Sequence, residues 1–224
     1  MSAETHPSVL FVYFSYTGQT LKLVETMTEV LEARGCDVTQ AAIEFTDPRY
    51  ETRFEHFPMK RPFLEVVAMI PAELRRKPAT IHIPESVSAG RFDYVVVGAP
   101  TWWLSTDVPM RSFLESAEAA NQLRDTPFTA AVTCRRYWKH NIKTVRRLGT
   151  KLGGIYADGI HFRYQGGQVR SLFSLLSYLG TGEYRDRYHG VKIPPTNLQD
   201  YHLEAARNFA EDLANRVCSV PGSG

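Results

Sequence analysis

The chain has 224 residues, 43% of them hydrophobic and 22% charged, with a formal net charge of +2. That is enough for one sizeable α/β domain and short for two, and so small a dispersed charge argues against a nucleic-acid binder. No run of about 18 apolar residues exists to span a bilayer, the start MSAETHPS lacks the basic and apolar regions of a signal peptide, and Cys36, Cys134 and Cys218 stand far apart without CxxC or Cys/His metal spacing, so a reduced cytoplasmic protein without a structural metal is expected.

The first element is Val9–Phe14, an unbroken apolar run of the kind found in a central parallel strand covered on both faces. A turn of small hydroxyl residues around Gly18 follows. Leu23, Val24, Met27, Val30 and Leu31 then recur at helical spacing, with Gly35 as the stop. Cys36–Ile43 reads as a second, more peripheral strand, which completes a right-handed βαβ unit. From Glu44 to Arg91 the pattern is irregular and rich in proline and aromatic residues, including Phe45, Tyr50, Phe54, Phe57 and Phe63. One helix is expected there, starting at Pro62, running through Leu64, Val67 and Met69 and ending before Pro71. Such a long insertion is either an interaction element or a surface addition packed on the sheet.

Phe92–Ala99 is the third strand and runs into the loop Pro100-Thr101-Trp102-Trp103. A helix capped by Asp107 begins near Pro109 and buries Met110, Phe113, Leu114 and Ala117. Phe128–Thr133 is the fourth strand; its helix carries Trp138, Ile142, Val145, Leu148 and Leu152 and stops at Gly153-Gly154. Ile155–Tyr164 is the fifth strand. An apolar helical patch over 168–180 (Leu172, Leu175, Leu176, Leu179) leads to a polar stretch ending at Pro195. The final helix is expected from an Asn197 cap to about Val217, with Leu198, Tyr201, Ala205, Phe209 and Leu213 on one face, and 219–224 as a loose tail. Five strands alternating with helices predict a single doubly wound α/β domain, with an insertion at about 44–91 and an extra segment at about 166–196.

In such sheets ligands bind beyond the carboxyl ends of the strands, so three loops matter. The first, Ser15-Tyr16-Thr17-Gly18-Gln19-Thr20, has neither the lysine of a P-loop nor three spaced glycines. Its hydroxyls and helix start suit a monophosphate neutralised by N–H and O–H donors, though a plain capping turn fits as well. The second places two adjacent indoles outside a central strand. Both cannot face one core, so at least one meets a ligand, the insertion or a second subunit. The third, Thr133-Cys134-Arg135-Arg136-Tyr137-Trp138, opens a run with seven Lys/Arg and no Asp/Glu through Lys151. For Lys143, Arg146, Arg147 and Lys151 a solvated helix face is the simpler reading; Arg135 and Arg136, in the loop, are the better functional candidates. Cys134, without a base beside it, reads as a buried structural thiol.

FSYTGQT followed by VVVGAPTWW and PMRSFLE resembles the flavodoxin-like superfamily, and within it the flavodoxin-type NAD(P)H:quinone oxidoreductases and related flavodoxin-family proteins. The resemblance covers about residues 8–165 and the last helix, and implies a three-layer fold with strand order 2-1-3-4-5. By that resemblance Ser15, Tyr16, Thr17, Gly18, Gln19 and Thr20 bind the phosphate of flavin mononucleotide (FMN). Pro100, Thr101, Trp102, Trp103 and Leu104 contact its ring or ribityl chain, and Thr133, Cys134, Arg135, Arg136 and Tyr137 close over it. Several family members carry a glycine-rich segment at this third loop; this chain does not. A cation there would stabilise reduced anionic flavin or hold the phosphates of a nicotinamide cofactor. Tyr137 and His140 resemble in type, not in spacing, the Tyr/His pair that supports hydride transfer in some quinone reductases. The insertion segment FPMKRPFLEVVAMIPAEL loosely resembles flavodoxin-like proteins described as dialkylresorcinol-condensing enzymes.

Three functions follow as expectations. The first is an FMN oxidoreductase taking hydride from NAD(P)H and reducing a quinone-like or other small acceptor, with the insertion and 166–196 forming an acceptor pocket or a homodimer interface. The others are a one-electron carrier of flavodoxin type and a scaffold that has lost FMN. Balanced charge, a basic third loop and the added segments favour the first over a compact acidic carrier.

Overall fold

A computed structural model describes residues 6–75 and 77–218. Five parallel strands form the central sheet: β1 (Ser8–Tyr13), β2 (Asp37–Ala42), β3 (Tyr94–Trp102), β4 (Pro127–Cys134) and β5 (Ile155–Arg163), in the order β2-β1-β3-β4-β5. This is the expected order. The connecting helices are α1 (Gln19–Ala33), α2 (Pro62–Ala68), α3 (Ile70–Arg75), α4 (Val108–Phe113), α5 (Ala117–Leu123), α6 (Trp138–Lys151), α7 (Gln168–Thr181) and α8 (Asp200–Cys218).

Side chains alternate along each strand, so the apolar runs in β1, β3 and β4 feed two cores at once. On one face Leu10, Val12, Val95, Val97, Phe128 and Ala130 pack with Met110, Phe113, Leu123, Val145 and Leu148 from α4, α5 and α6. On the other, Val9, Phe11, Tyr94, Val96 and Phe162 pack with Leu23, Met27 and Leu31 of α1 and Leu203, Ala206, Ala210 and Leu213 of α8. Two layers of helices therefore hold the strand ends in fixed relative positions.

Several local expectations change. β3 does not end at Ala99 but runs to Trp102, and Ser105–Thr106 returns antiparallel beside it. The supposed loop is thus a hairpin, because Thr101 and Trp102 find partners in Thr106 and Ser105. The helix after Asp107 breaks at Leu114 and restarts at Ala117, capped by Ser116; Ala117 is exposed rather than buried. Besides the short helical turns Glu51–Phe54 and Glu85–Ser88, the insertion holds α2 and α3 end to end, since Pro71 sits in the first turn of α3, where a missing N–H costs nothing. Of Leu64, Val67 and Met69, only Met69 is buried. In α8 the inward face is Leu203, Ala206, Ala210, Leu213 and Val217; Tyr201 and Ala205 face solvent. Small residues at 206 and 210 let α8 lie close to α1 and the sheet. Asn197 does not cap this helix; Gln199 precedes it and its carbonyl accepts from His202 and Leu203. Cys36 and Cys218, distant in sequence, come near one another, and burial, then Cys218, pushes the Cys36 thiol up to about 11; Cys218 Sγ donates to the Arg34 carbonyl. The expected tail over 219–224 lies outside the described residues, as do residues 1–5. Among the described residues no helix is long and apolar enough to cross a membrane.

The insertion is pinned by Asp47, which is 2% exposed. Its carboxylate accepts from the Arg49 N–H, Nε and Nη2 and from the Thr80 N–H at 2.6–3.1 Å, beside the short pairing of Glu44–Phe45 with Ile81–His82. The Arg49 hydrogen bond, followed by the backbone donors and set against desolvation, holds this carboxyl well below its ordinary value. A depressed carboxyl contributes stability that is present above its unfolded value of about 4 and is lost as pH falls below it. Asp47→Asn is expected to destabilise by about 1.5–3 kcal/mol at neutral pH. Urea unfolding should show that difference shrinking as pH drops below about 4; an unchanged difference would assign the loss to packing.

Candidate functional site

The turn between β1 and α1 is built around Gly18, whose φ of +74° is left-handed and whose missing side chain would meet nothing within 4 Å. Ser15 Oγ accepts from the Leu21 N–H (3.0 Å), and the Lys22 N–H bonds the Gly18 carbonyl (2.9 Å). Among the described residues, the N–H groups of Gly18, Gln19 and Thr20 and the Thr17 hydroxyl have no acceptor or partner. Four free donors in one turn, at the positive end of a 15-residue helix, are an arrangement that suits an anion. Other atoms of the turn brace it. Gln19 bonds Tyr184 through Nε2 and the Leu198 N–H through Oε1, both at 2.7 Å. Tyr178 Oη donates to the Thr17 carbonyl (3.3 Å), and Thr20 Oγ1 lies 3.1 Å from Thr133 Oγ1, joining this turn to the end of β4. Tyr16 turns to the insertion, donating to the His56 carbonyl (2.7 Å) and meeting Phe54 edge to face; burial, then Glu65, pushes its phenol up to about 12.

The hairpin after β3 divides its indoles. Trp102 stacks on Phe54 of the insertion, with centroids 5.1 Å apart and planes at 12°, and meets Phe14 edge-on. Both indoles line the cleft; Trp103 is 39% exposed, with a φ of +50°. A tryptophan in the left-handed region carries strain of about 1–3 kcal/mol and persists only where its surroundings enforce it. The tight two-residue turn between the paired Trp102 and Ser105 imposes it, and Asn141 of α6, fully buried, ties the flanking strands to the helix. Its Nδ2 donates to the carbonyls of Ala99 (3.2 Å) and Pro100 (3.1 Å) and to Thr101 Oγ1 (2.9 Å), while its Oδ1 accepts from Thr106 Oγ1 (2.6 Å). Leu104, at the hairpin tip, is 55% exposed and outside the cleft lining.

The third loop supplies the cationic wall. Arg135, half-buried, donates through Nη1 to the Gln168 carbonyl (2.7 Å) and Ser171 Oγ (3.1 Å), and Arg136 Nη1 reaches Gln168 Oε1 (3.1 Å). Both residues line the cleft. Cys134 is 2% exposed, and desolvation pushes its thiol up to about 12, so it stays protonated and unreactive. Tyr137, at φ +63°, precedes α6, and His140 is exposed on that helix; neither lines the cleft.

The three strand ends meet in this one cleft, as the topology requires. Two added segments wall it further. The insertion contributes Phe54, Met59, Glu65, Val66 and Met69; α7 contributes Leu172, Leu175 and Leu179; Tyr164 and Thr196 complete it. The apolar spacing at 172–179 was a legible signal for the α7 wall. Nothing local marked Met59, Glu65 or Tyr164, and Asn141 looked like any polar helix residue.

No family model and no curated protein matches the chain. Solved structures do match. A flavodoxin from the domain Archaea superposes with a TM-score of 0.51 at 13% identity over 94% of this chain and 99% of its own. The chain has the flavodoxin-like fold. A short-chain flavodoxin associated with a bacterial microcompartment is similar to the same degree (TM-score 0.51, 15% identity, 94% and 99% covered). The flavodiiron protein from Giardia intestinalis matches with a TM-score of 0.52 at 13% identity, over 95% of this chain but 36% of its own. On the flavodoxin-like scaffold, the donor-rich turn stands at the first strand end and the indole hairpin at the third strand, flanking the switch point between β1 and β3.

Proposed function

We propose that the protein is an FMN-binding oxidoreductase that takes electrons from NAD(P)H and passes them to a quinone-like or other small acceptor. The observation that carries this reading is the set of unpartnered donors at Thr17–Thr20, opening into a cleft that also holds Trp103 and Arg135. A phosphate dianion fits those donors without metal or lysine. Bound FMN supplies the redox chemistry, accepting a hydride and releasing electrons. Gly18, Gln19 and Thr20 hold its phosphate through backbone N–H groups and Thr17 through its hydroxyl. Trp103 offers a flat wall to the ring, and Trp102, stacked on Phe54, lines the cleft beside it. Arg135, fixed by Gln168 and Ser171, keeps a positive charge in a poorly solvated cleft, where it favours added negative charge. Leu172, Leu175, Leu179, Met59 and Met69 exclude water and suit an apolar acceptor. Tyr137 and His140 are given no role in the reaction.

Flavodoxin-type carriage of single electrons needs a flavin edge open to a protein partner. The walls from the insertion and α7 leave a cleft sized for small molecules instead, which favours the enzyme. The absorption spectrum of the purified protein tests the cofactor: a yellow protein releasing FMN on denaturation is expected, and a colourless one that refuses added FMN would overturn the reading. Steady-state oxidation of NAD(P)H, accelerated by a soluble quinone, then separates enzyme from carrier; a flavin reducible only through a protein reductase would leave the carrier.

A further inference from the structure

A second, shallow groove lies outside the cleft, between α6 and the edge strand β5, lined by Trp138, Lys139, Ile142, Lys143, Arg146 and Tyr156. Its floor is aromatic. Trp138 stacks on His161 with centroids 3.6 Å apart and planes at 7°. Tyr156 lies across Gly159, where a Cβ would come within 2.6 Å of its hydroxyl; glycine lets the ring down onto the strand. Two cations are held over this floor: Lys139 Nζ is 5.4 Å from the Trp138 ring and Arg146 Cζ 5.1 Å from that of Tyr156.

These cations lack anions. Among the described residues, Lys139, Lys143 and Arg146 make no ion pair or hydrogen bond, and no acid occurs between Arg135 and Lys151. Lys139 and Lys143, and Lys143 and Arg147, are like charges one turn apart, an arrangement that disfavours the helix until an anion is bound. Convergent cations partly immobilised on aromatic faces match a multiply charged phosphate. The groove begins at Trp138, two residues after Arg136 of the cleft wall, and Arg146 stands about 12 Å further along the helix.

We propose that this groove takes the phosphate-bearing adenosine end of a nicotinamide dinucleotide whose nicotinamide enters the cleft, and that the additional 2′-phosphate makes NADPH the preferred reductant over NADH. The assignment rests on the reading of the cleft as a flavin site reduced by a nicotinamide. Adenosine 2′,5′-bisphosphate, titrated calorimetrically into the purified protein, is the probe, with adenosine 5′-monophosphate as control. The bisphosphate should bind more tightly than the monophosphate and weaken as salt is raised. Lys143→Ala with Arg146→Ala should weaken it about tenfold, raise KM for NADPH while leaving kcat and the flavin spectrum unchanged, and leave the charge-retaining Lys143→Arg variant near wild type. A yellow protein that fails to bind the bisphosphate, or whose binding ignores the double substitution, overturns this proposal alone; an acidic protein as the true occupant would give that outcome. A colourless protein that refuses FMN overturns the cleft reading, and the reductant site with it.

Discussion

Asn141→Leu is expected to lower stability by about 2–4 kcal/mol, because buried donors and acceptors that lose a partner cost about 1–3 kcal/mol each. Leucine fills a similar volume but leaves Thr106 Oγ1, Thr101 Oγ1 and the carbonyls of Ala99 and Pro100 without the amide that now joins them. The isosteric Asn141→Asp is the sharper variant. A carboxylate has no N–H to give and would face three oxygen atoms, so it should be at least as damaging as leucine despite its matching shape. Urea unfolding reads both as a fall in midpoint with an unchanged slope. If the hairpin owes its position to other contacts, Asp will be tolerated. Because Trp103 and the cleft wall hang on this network, both variants should also weaken FMN.

Thr17→Ala is expected to weaken FMN by about 1.5–3 kcal/mol, the value of one charge-assisted hydrogen bond in a partly buried site. Adding Thr20→Ala, which keeps the N–H that would meet the phosphate, should add little to that loss. The two differ in what else they disturb. The Thr17 hydroxyl has no partner among the described residues, so its loss should leave the thermal midpoint of the apoprotein unchanged. Thr20 is 2% exposed and bonded to Thr133, so its loss should lower that midpoint as well. Flavin fluorescence on titration gives the affinities, and unchanged affinity in Thr17→Ala would remove the phosphate assignment.

Much of the fold was legible because its signals are local. Val9–Phe14 and the VVV run of β3 are apolar at every position, which only a strand covered on both faces requires. The hydroxyl-rich turn ahead of α1 was legible for the same reason: hydroxyls, a glycine and a helix start lie within six residues. The indole hairpin was half legible. Adjacency implied that Trp102 and Trp103 must part, but which one would meet the insertion depended on where Phe54 lands. The inward face of α8 departs from its sequence pattern at Tyr201 and Ala205, because close packing against α1 selected Ala206 and Ala210, while Phe209 packs at the edge of that core.

By itself the sequence determined a five-stranded parallel sheet, the hydroxyl-rich turn that opens its first helix, and the basic run that follows β4. Periodicity, capping and composition act over a few residues and can be read along the chain. The tertiary structure decided the rest: that the insertion and α7 wall the cleft, that Asn141 secures the hairpin across 42 residues, and that Arg146 of the basic run settles on Tyr156 of the neighbouring strand. These contacts close between segments remote in sequence, and their energy exists only once the sheet has brought the segments together.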